Sequence, residues 1–155
     1  MTTMEPTTVT TVQVYQVFIR ATPEQIWEAI TKPEFTSRYF HGSVVDSTFE
    51  PGSPYHSYST DRSQLWVDGV VQEADPPRLL RHTWRSLYNE ETAAEDFSRV
   101  TWTIEPGDGA VTKLTVVHDQ LEGAPKTAAS VSGAGWMFVL SGLKTLLETG
   151  APLAG

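Results

Sequence analysis

From Gly135 to Gly150 the apolar residues recur with helical spacing. Trp136, Val139, Leu140, Leu143, Leu146 and Leu147 fall at i, i+3, i+4 and i+7 and share one face. Ser141, Lys144, Thr145 and Glu148 take the opposite face, and Gly150 followed by Pro152 stops the pattern. A helix with one broad apolar face needs a surface to cover. Upstream, between residues 43 and 121, the period changes to that of strands, with segments near 43–48, 54–60, 64–73, 79–87, 98–105 and 111–120. Pro106-Gly107-Asp108-Gly109 joins the last two as a hairpin turn. Val12 to Arg20 is a further strand whose alternation is too imperfect to assign faces. Thr22-Pro23-Glu24-Gln25 then starts a helix: Thr22 caps it, Pro23 suits its first position, and Gln25 completes a capping box. Lys32-Pro33 ends it, and a second short helix from Pro33 to Tyr39 carries Phe35, Tyr39 and Phe40 at its end.

The order is strand, two short helices, six strands, long helix. Short links between successive strands imply an antiparallel meander, one side of which the last helix covers, an α+β layout. Alternation sorts the strand residues. Lys113, Thr115, Val117 and Asp119 face water, so Leu114, Val116 and His118 point inward. By the same rule Val100, Trp102 and Ile104, then Leu80, His82 and Trp84, and then Leu65, Val67, Gly69 and Val71 point inward. Two histidines and two tryptophans thus face Trp136. They form either a filled core or the lining of a small-molecule site. Tyr55 and Tyr58, near His56, either donate hydrogen bonds into such a site or lie on an exposed edge. The outward faces show no large apolar patch, and so give no basis for an oligomer interface. Tyr88 to Asp96 reads as an exposed acidic loop, and residues 122–132 as a lead into the last helix.

The totals narrow the classes. The chain has 155 residues, enough for one domain over residues 10–150 preceded by a polar tail over 1–9. A net charge of -8 weighs against nucleic acid, whose phosphates reward clustered Lys and Arg. With no cysteine there is no disulfide, thiolate metal site or thiol nucleophile. Residues 1–8 lack the charged and apolar regions of a signal peptide, and no run approaches a membrane span. A cytoplasmic protein with no membrane and no nucleic-acid partner is expected.

Four segments, in order, resemble one family. They are Ala21 to Thr31 with Arg38-Tyr39-Phe40; Gly69 to Leu79 running on to Thr83-Trp84; Thr112 to His118; and Gly135-Trp136 with Leu143-Lys144 and Leu147 to Gly150. Together they resemble the standalone bacterial proteins similar to the C-terminal domain of the activator of heat-shock protein 90 ATPase, within the START/Bet v 1-like (SRPBCC) superfamily. Tyr39 departs from the Trp usual there, which implies an altered mouth or wall of the cavity. The resemblance implies a helix-grip fold, a curved antiparallel sheet of about seven strands around the C-terminal helix with a cavity between. It transfers no reaction.

The expected function is binding of a small, largely hydrophobic or aromatic molecule between helix and sheet. Leu80, Trp84, Trp102, Trp136, Leu140 and Leu143 would give apolar contact, and His82 and His118 would orient a polar group. Two alternatives stand beside it: a cyclase- or hydrolase-like enzyme using His118 or His82 as general base, and a co-chaperone-like interaction domain. No Gly-x-Ser-x-Gly elbow or phosphate-binding loop occurs, and the two histidines lack the third ligand of a metal site, so no metal and no cofactor are expected.

Overall fold

The computed structural model describes residues 11–132 and 134–153; the polar tail expected over 1–9 lies outside them. In chain order the elements are β1 (Gln13–Arg20), α1 (Pro23–Thr31), α2 (Pro33–Tyr39), β2 (Val44–Asp46), β3 (Pro54–Tyr58), β4 (Leu65–Asp75), β5 (Leu79–Ser86), α3 (Glu90–Ala93), β6 (Ser98–Pro106), β7 (Val111–Asp119), α4 (Pro125–Val131) and α5 (Ala134–Thr149). All strands pair antiparallel in one seven-stranded sheet, in the order β1-β7-β6-β5-β4-β3-β2. The meander from β2 to β7 follows the chain, and β1 returns to the far edge beside β7.

Local chemistry starts and stops the elements. At α1 the Thr22 hydroxyl accepts the Gln25 N–H at 3.1 Å, while the Gln25 side chain accepts the Thr22 N–H at 2.8 Å. Two N-terminal donors are thereby satisfied, worth about 1 kcal/mol. Register irregularities at Ser57/Tyr58 and at Val71/Glu73 bend the sheet, as bulges do. Where β4 meets β5 the backbones nearly touch: a Cβ on Gly69 would sit 2.0 Å from the Thr83 carbonyl oxygen, so only glycine fits.

The buried core lies between the inner sheet face and α5. Trp136, Val139, Leu140, Leu143 and Leu146 meet Leu80, Trp84, Val100, Trp102, Ile104, Leu114 and Val116, all buried. Each such side chain contributes about 1.5–3 kcal/mol by leaving water. On the outer face, Arg85 pairs with Asp68 and Arg99 with Asp119 through two hydrogen bonds each.

Two expectations need correction, and the faces left open on β1 are assigned. Residues 122–132 are no mere lead-in, for Pro125–Val131 form α4. Its N-terminus is capped from a distance: the Glu95 carboxylate accepts the N–H groups of Lys126 and Thr127, at 2.7 and 2.9 Å, and the Thr127 hydroxyl at 2.8 Å. The acidic 88–96 segment holds the short helix α3, with the Asn89 side chain accepting the Glu91 N–H at 2.8 Å. And β1 has an uneven pattern because Gln13 is buried, its amide donating to the Ala128 carbonyl at 2.9 Å. Val14 and Phe18 turn out to water, apolar exposure that alternation could not assign.

The Phe18–Arg20 end of the free edge of β1 is covered. Lys144 Nζ donates to the Phe18 carbonyl at 2.8 Å and Glu148 Oε2 accepts the Arg20 N–H at 2.8 Å. The two side chains also pair with each other at 2.7 Å.

Candidate functional site

The site is built on the inner face of β5, β6 and β7. Register sets His82, Val100 and His118 side by side in one row, with Leu80, Trp102 and Val116 in the next and Trp84 beside Ser98 on the other side. Both histidines are fully buried, and each ring is held at both nitrogens. Trp102 Nε1 lies 3.0 Å from His82 Nε2, and His82 Nδ1 lies 3.0 Å from the Thr83 carbonyl oxygen. An indole N–H only donates, so His82 Nε2 accepts and His82 Nδ1 carries the proton. For His118 the tautomer is reversed. Trp136 Nε1 donates to its Nδ1 at 3.1 Å, and its Nε2 carries the proton to Ser98 Oγ at 2.7 Å. Ser98 in turn donates to the Trp84 carbonyl at 3.2 Å, while Trp84 Nε1 donates to Ser86 Oγ at 3.0 Å.

These relays fix neutral imidazoles, because a second proton would set N–H against N–H. Burial holds His82 down at about 4, against the pull of its bond to Thr83. Burial, and then the proximity of His82, holds His118 at about 3, with Asp119 pulling weakly the other way. Neither ring has a lone pair left for a substrate proton.

A cavity of about 630 Å³ opens beside this layer, within the range of small-molecule sites. Its walls come from α2 and the turn after it (Thr36, Phe40, His41), β2 (Val45), β3 (Tyr55, Ser57), β4 (Trp66, Val67), β5 (Trp84), the end of α4 (Ser130, Val131) and the first half of α5 (Gly135, Trp136, Phe138, Val139). Phe40 lies against Trp84 at 6.3 Å in a stacked arrangement and meets Trp136 edge-on at 5.8 Å. Tyr55 lies flat on His82, with ring centroids 3.7 Å apart and planes 14° apart. At the mouth, His41 has φ 54° and packs edge-on against Phe138 at 5.6 Å, and the hydroxyls of Tyr88 and Ser130 are 3.5 Å apart.

Among the residues singled out in the sequence, Trp84 and Trp136 line this cavity. Leu80, His82, Trp102, His118, Leu140 and Leu143 lie in the packed layer beside it and are not among its lining residues. The void is shifted toward β3 and β4 because the two tryptophan–histidine pairs fill the space over β5 to β7. Of the paired possibility at β3, Tyr55 turns inward and Tyr58 outward beside His56. Tyr39, expected at the mouth or wall, instead packs under Gly142 and donates to the Ala29 carbonyl at 2.8 Å. Phe40, His41, Ser57, Trp66 and Val131 were not foreseen as lining. The aromatic end of α2 was the available signal for the first. Among the described residues no group of three His, Asp or Glu converges as a metal site, and no helix is long and apolar enough to cross a membrane.

Solved structures share this architecture. Protein MLL2253 from Mesorhizobium loti is 23% identical, with a TM-score of 0.72 over 88% of this chain and 96% of that one. CalU16 from Micromonospora echinospora is 20% identical, with a TM-score of 0.68 over 92% and 77%. An HSP90 activator from Plasmodium falciparum is 18% identical, with a TM-score of 0.68 over 89% and 96%. No curated protein matches the chain by sequence. At these identities the likeness establishes the helix-grip, START/Bet v 1-like α+β fold. A family model covers most of the chain, residues 20–148: the chain belongs to the family of Activator of Hsp90 ATPase homolog 1-like proteins.

Proposed function

We propose that this chain, as one domain over residues 10–150 in the cytoplasm, binds a small, largely hydrophobic or aromatic molecule in the cavity between α5 and the sheet. The observation that carries the reading is the aromatic wall: Phe40, Trp84 and Trp136 face an open volume of about 630 Å³. Aromatic side chains around a preformed void are the usual lining of such sites. Trp84 and Trp136 make the contact, while Leu80, His82, Trp102, His118, Leu140 and Leu143 hold them in place. The enzyme alternative, with His82 or His118 as general base, is less supported, since both of those rings are engaged at both nitrogens. Family membership alone carries neither a reaction nor a heat-shock protein partner to this chain.

The test is titration with Nile red, an uncharged dye whose emission shifts in apolar surroundings and accepts energy from nearby tryptophan. Wild type should give blue-shifted emission excited through tryptophan. Val67→Phe, which fills the cavity, should weaken binding at least tenfold with an unchanged near-ultraviolet circular dichroism spectrum. Equal dye affinity in the two folded proteins would place the ligand elsewhere.

A further inference from the structure

We propose that the buried end of the cavity recognises an uncharged oxygen acceptor, with Tyr55 Oη as principal donor and Ser57 Oγ beside it. The ligand class is then a neutral aromatic ketone or related carbonyl compound, and neither a bare hydrocarbon nor a carboxylate. This rests on the cavity being a binding site.

Tyr55 and Ser57 are 4% and 7% exposed. Among the described residues, every other buried hydroxyl has a protein partner: Tyr39 donates to Ala29, Thr36 to Ser43, Ser43 to Phe40, Ser98 to Trp84 and Thr112 to Ala21, while Ser59, Ser86, Thr92 and Thr127 are likewise bonded. Only Tyr55 and Ser57 have none. Among the described residues no unpaired side-chain polar atom is sealed off from a water-sized probe. The two free hydroxyls therefore open into the space their residues line. They are two apart on β3, so strand alternation puts them on the same face.

An unmet buried hydroxyl is costly, and water serves it only while the cavity is wet. A ligand that displaces that water must bring its own acceptor. Burial pushes the Tyr55 phenol well above its ordinary value, so it stays a donor. Its ring cannot swing away, being stacked on the doubly held His82 and set edge-on to Phe49 at 6.1 Å. Among the described residues no Asp, Glu, Lys or Arg lines the cavity and His41 stands at its mouth, so a charge carried to the buried end would lose hydration without a counter-charge.

Three naphthalene probes of one skeleton separate these demands: 6-propionyl-2-dimethylaminonaphthalene, its 6-propyl analogue and the 6-carboxylate. The ketone should bind wild type about three- to tenfold tighter than the propyl probe, and tighter than the carboxylate. Its emission should show the red shift of a hydrogen-bonded carbonyl. Tyr55→Phe should erase the ketone's advantage and its shift while leaving propyl affinity within about twofold; Ser57→Ala should erase part of it. Equal binding of ketone and propyl probes to wild type, an advantage that survives Tyr55→Phe, or a preference for the carboxylate overturns this inference while leaving the cavity reading intact. If Tyr55→Phe fails to fold, the wild-type probe ranking and Ser57→Ala decide the question. Should no probe bind wild type, or Val67→Phe bind them equally, the cavity reading fails and takes this one with it.

Discussion

Acidification from about pH 7.5 to about pH 5 should destabilise the protein by ~4 kcal/mol through His82 and His118. In the unfolded chain each imidazole titrates near 6.5; folded, the two are held near 4 and 3. A base whose folded pKa is depressed gives stability that is fully present above the unfolded pKa. That stability drains away as pH falls toward the folded one, here between 6.5 and about 3. At about pH 5 the unfolded ring is protonated about thirty to one while the folded ring is still mostly neutral. The difference is RT ln 30, ~2 kcal/mol for each histidine. The figure follows from both folded values lying well below 5. Urea unfolding followed by tryptophan emission at the two pH values measures it. His118→Asn keeps an acceptor facing Trp136 Nε1 but cannot titrate, so its acid loss should be about 2 kcal/mol smaller than that of wild type. Exposed carboxylates are common to both proteins and cancel. An equal acid loss in variant and wild type, or ring resonances of His82 or His118 titrating near pH 6 in the folded protein, would show that these imidazoles are not locked.

Trp136→Phe keeps an aromatic ring but deletes the donor to His118 Nδ1, leaving a buried acceptor unmet. It should destabilise the protein by about 1–3 kcal/mol in urea and raise the His118 pKa in NMR titration. Gly69→Ala sets a methyl 2.0 Å from the Thr83 carbonyl oxygen, so β4 and β5 must part. A loss of about 1–3 kcal/mol is expected, with amide exchange accelerating at both strands; an unchanged melting temperature would contradict the close approach.

Much of the fold follows from period alone. Charged partners on one face of β5, β6 and β7 turn His82 and His118 inward, whatever their polarity. What period cannot tell is whether an inward residue meets a neighbour or a void. That depends on sheet curvature, set by irregularities at Ser57/Tyr58 and Val71/Glu73, and on indole N–H groups reaching imidazoles on other elements. His82 and His118 therefore read as ligand contacts in sequence and lie in filled core in three dimensions. The helix at Pro125–Val131 was hidden for a related reason. Its Ala- and Ser-rich sequence has little apolar stripe, and its cap comes from Glu95, roughly thirty residues upstream. Short-range patterns carry no trace of such a partner.

The bond pair that Lys144 and Glu148 make to Phe18 and Arg20 ties two properties together. An approaching β segment finds those backbone groups already occupied and must first peel back the closing turns of α5. The same helix forms the roof over the void. One helix thus serves two places: its closing turns occupy the β1 border, and its first half walls the cavity.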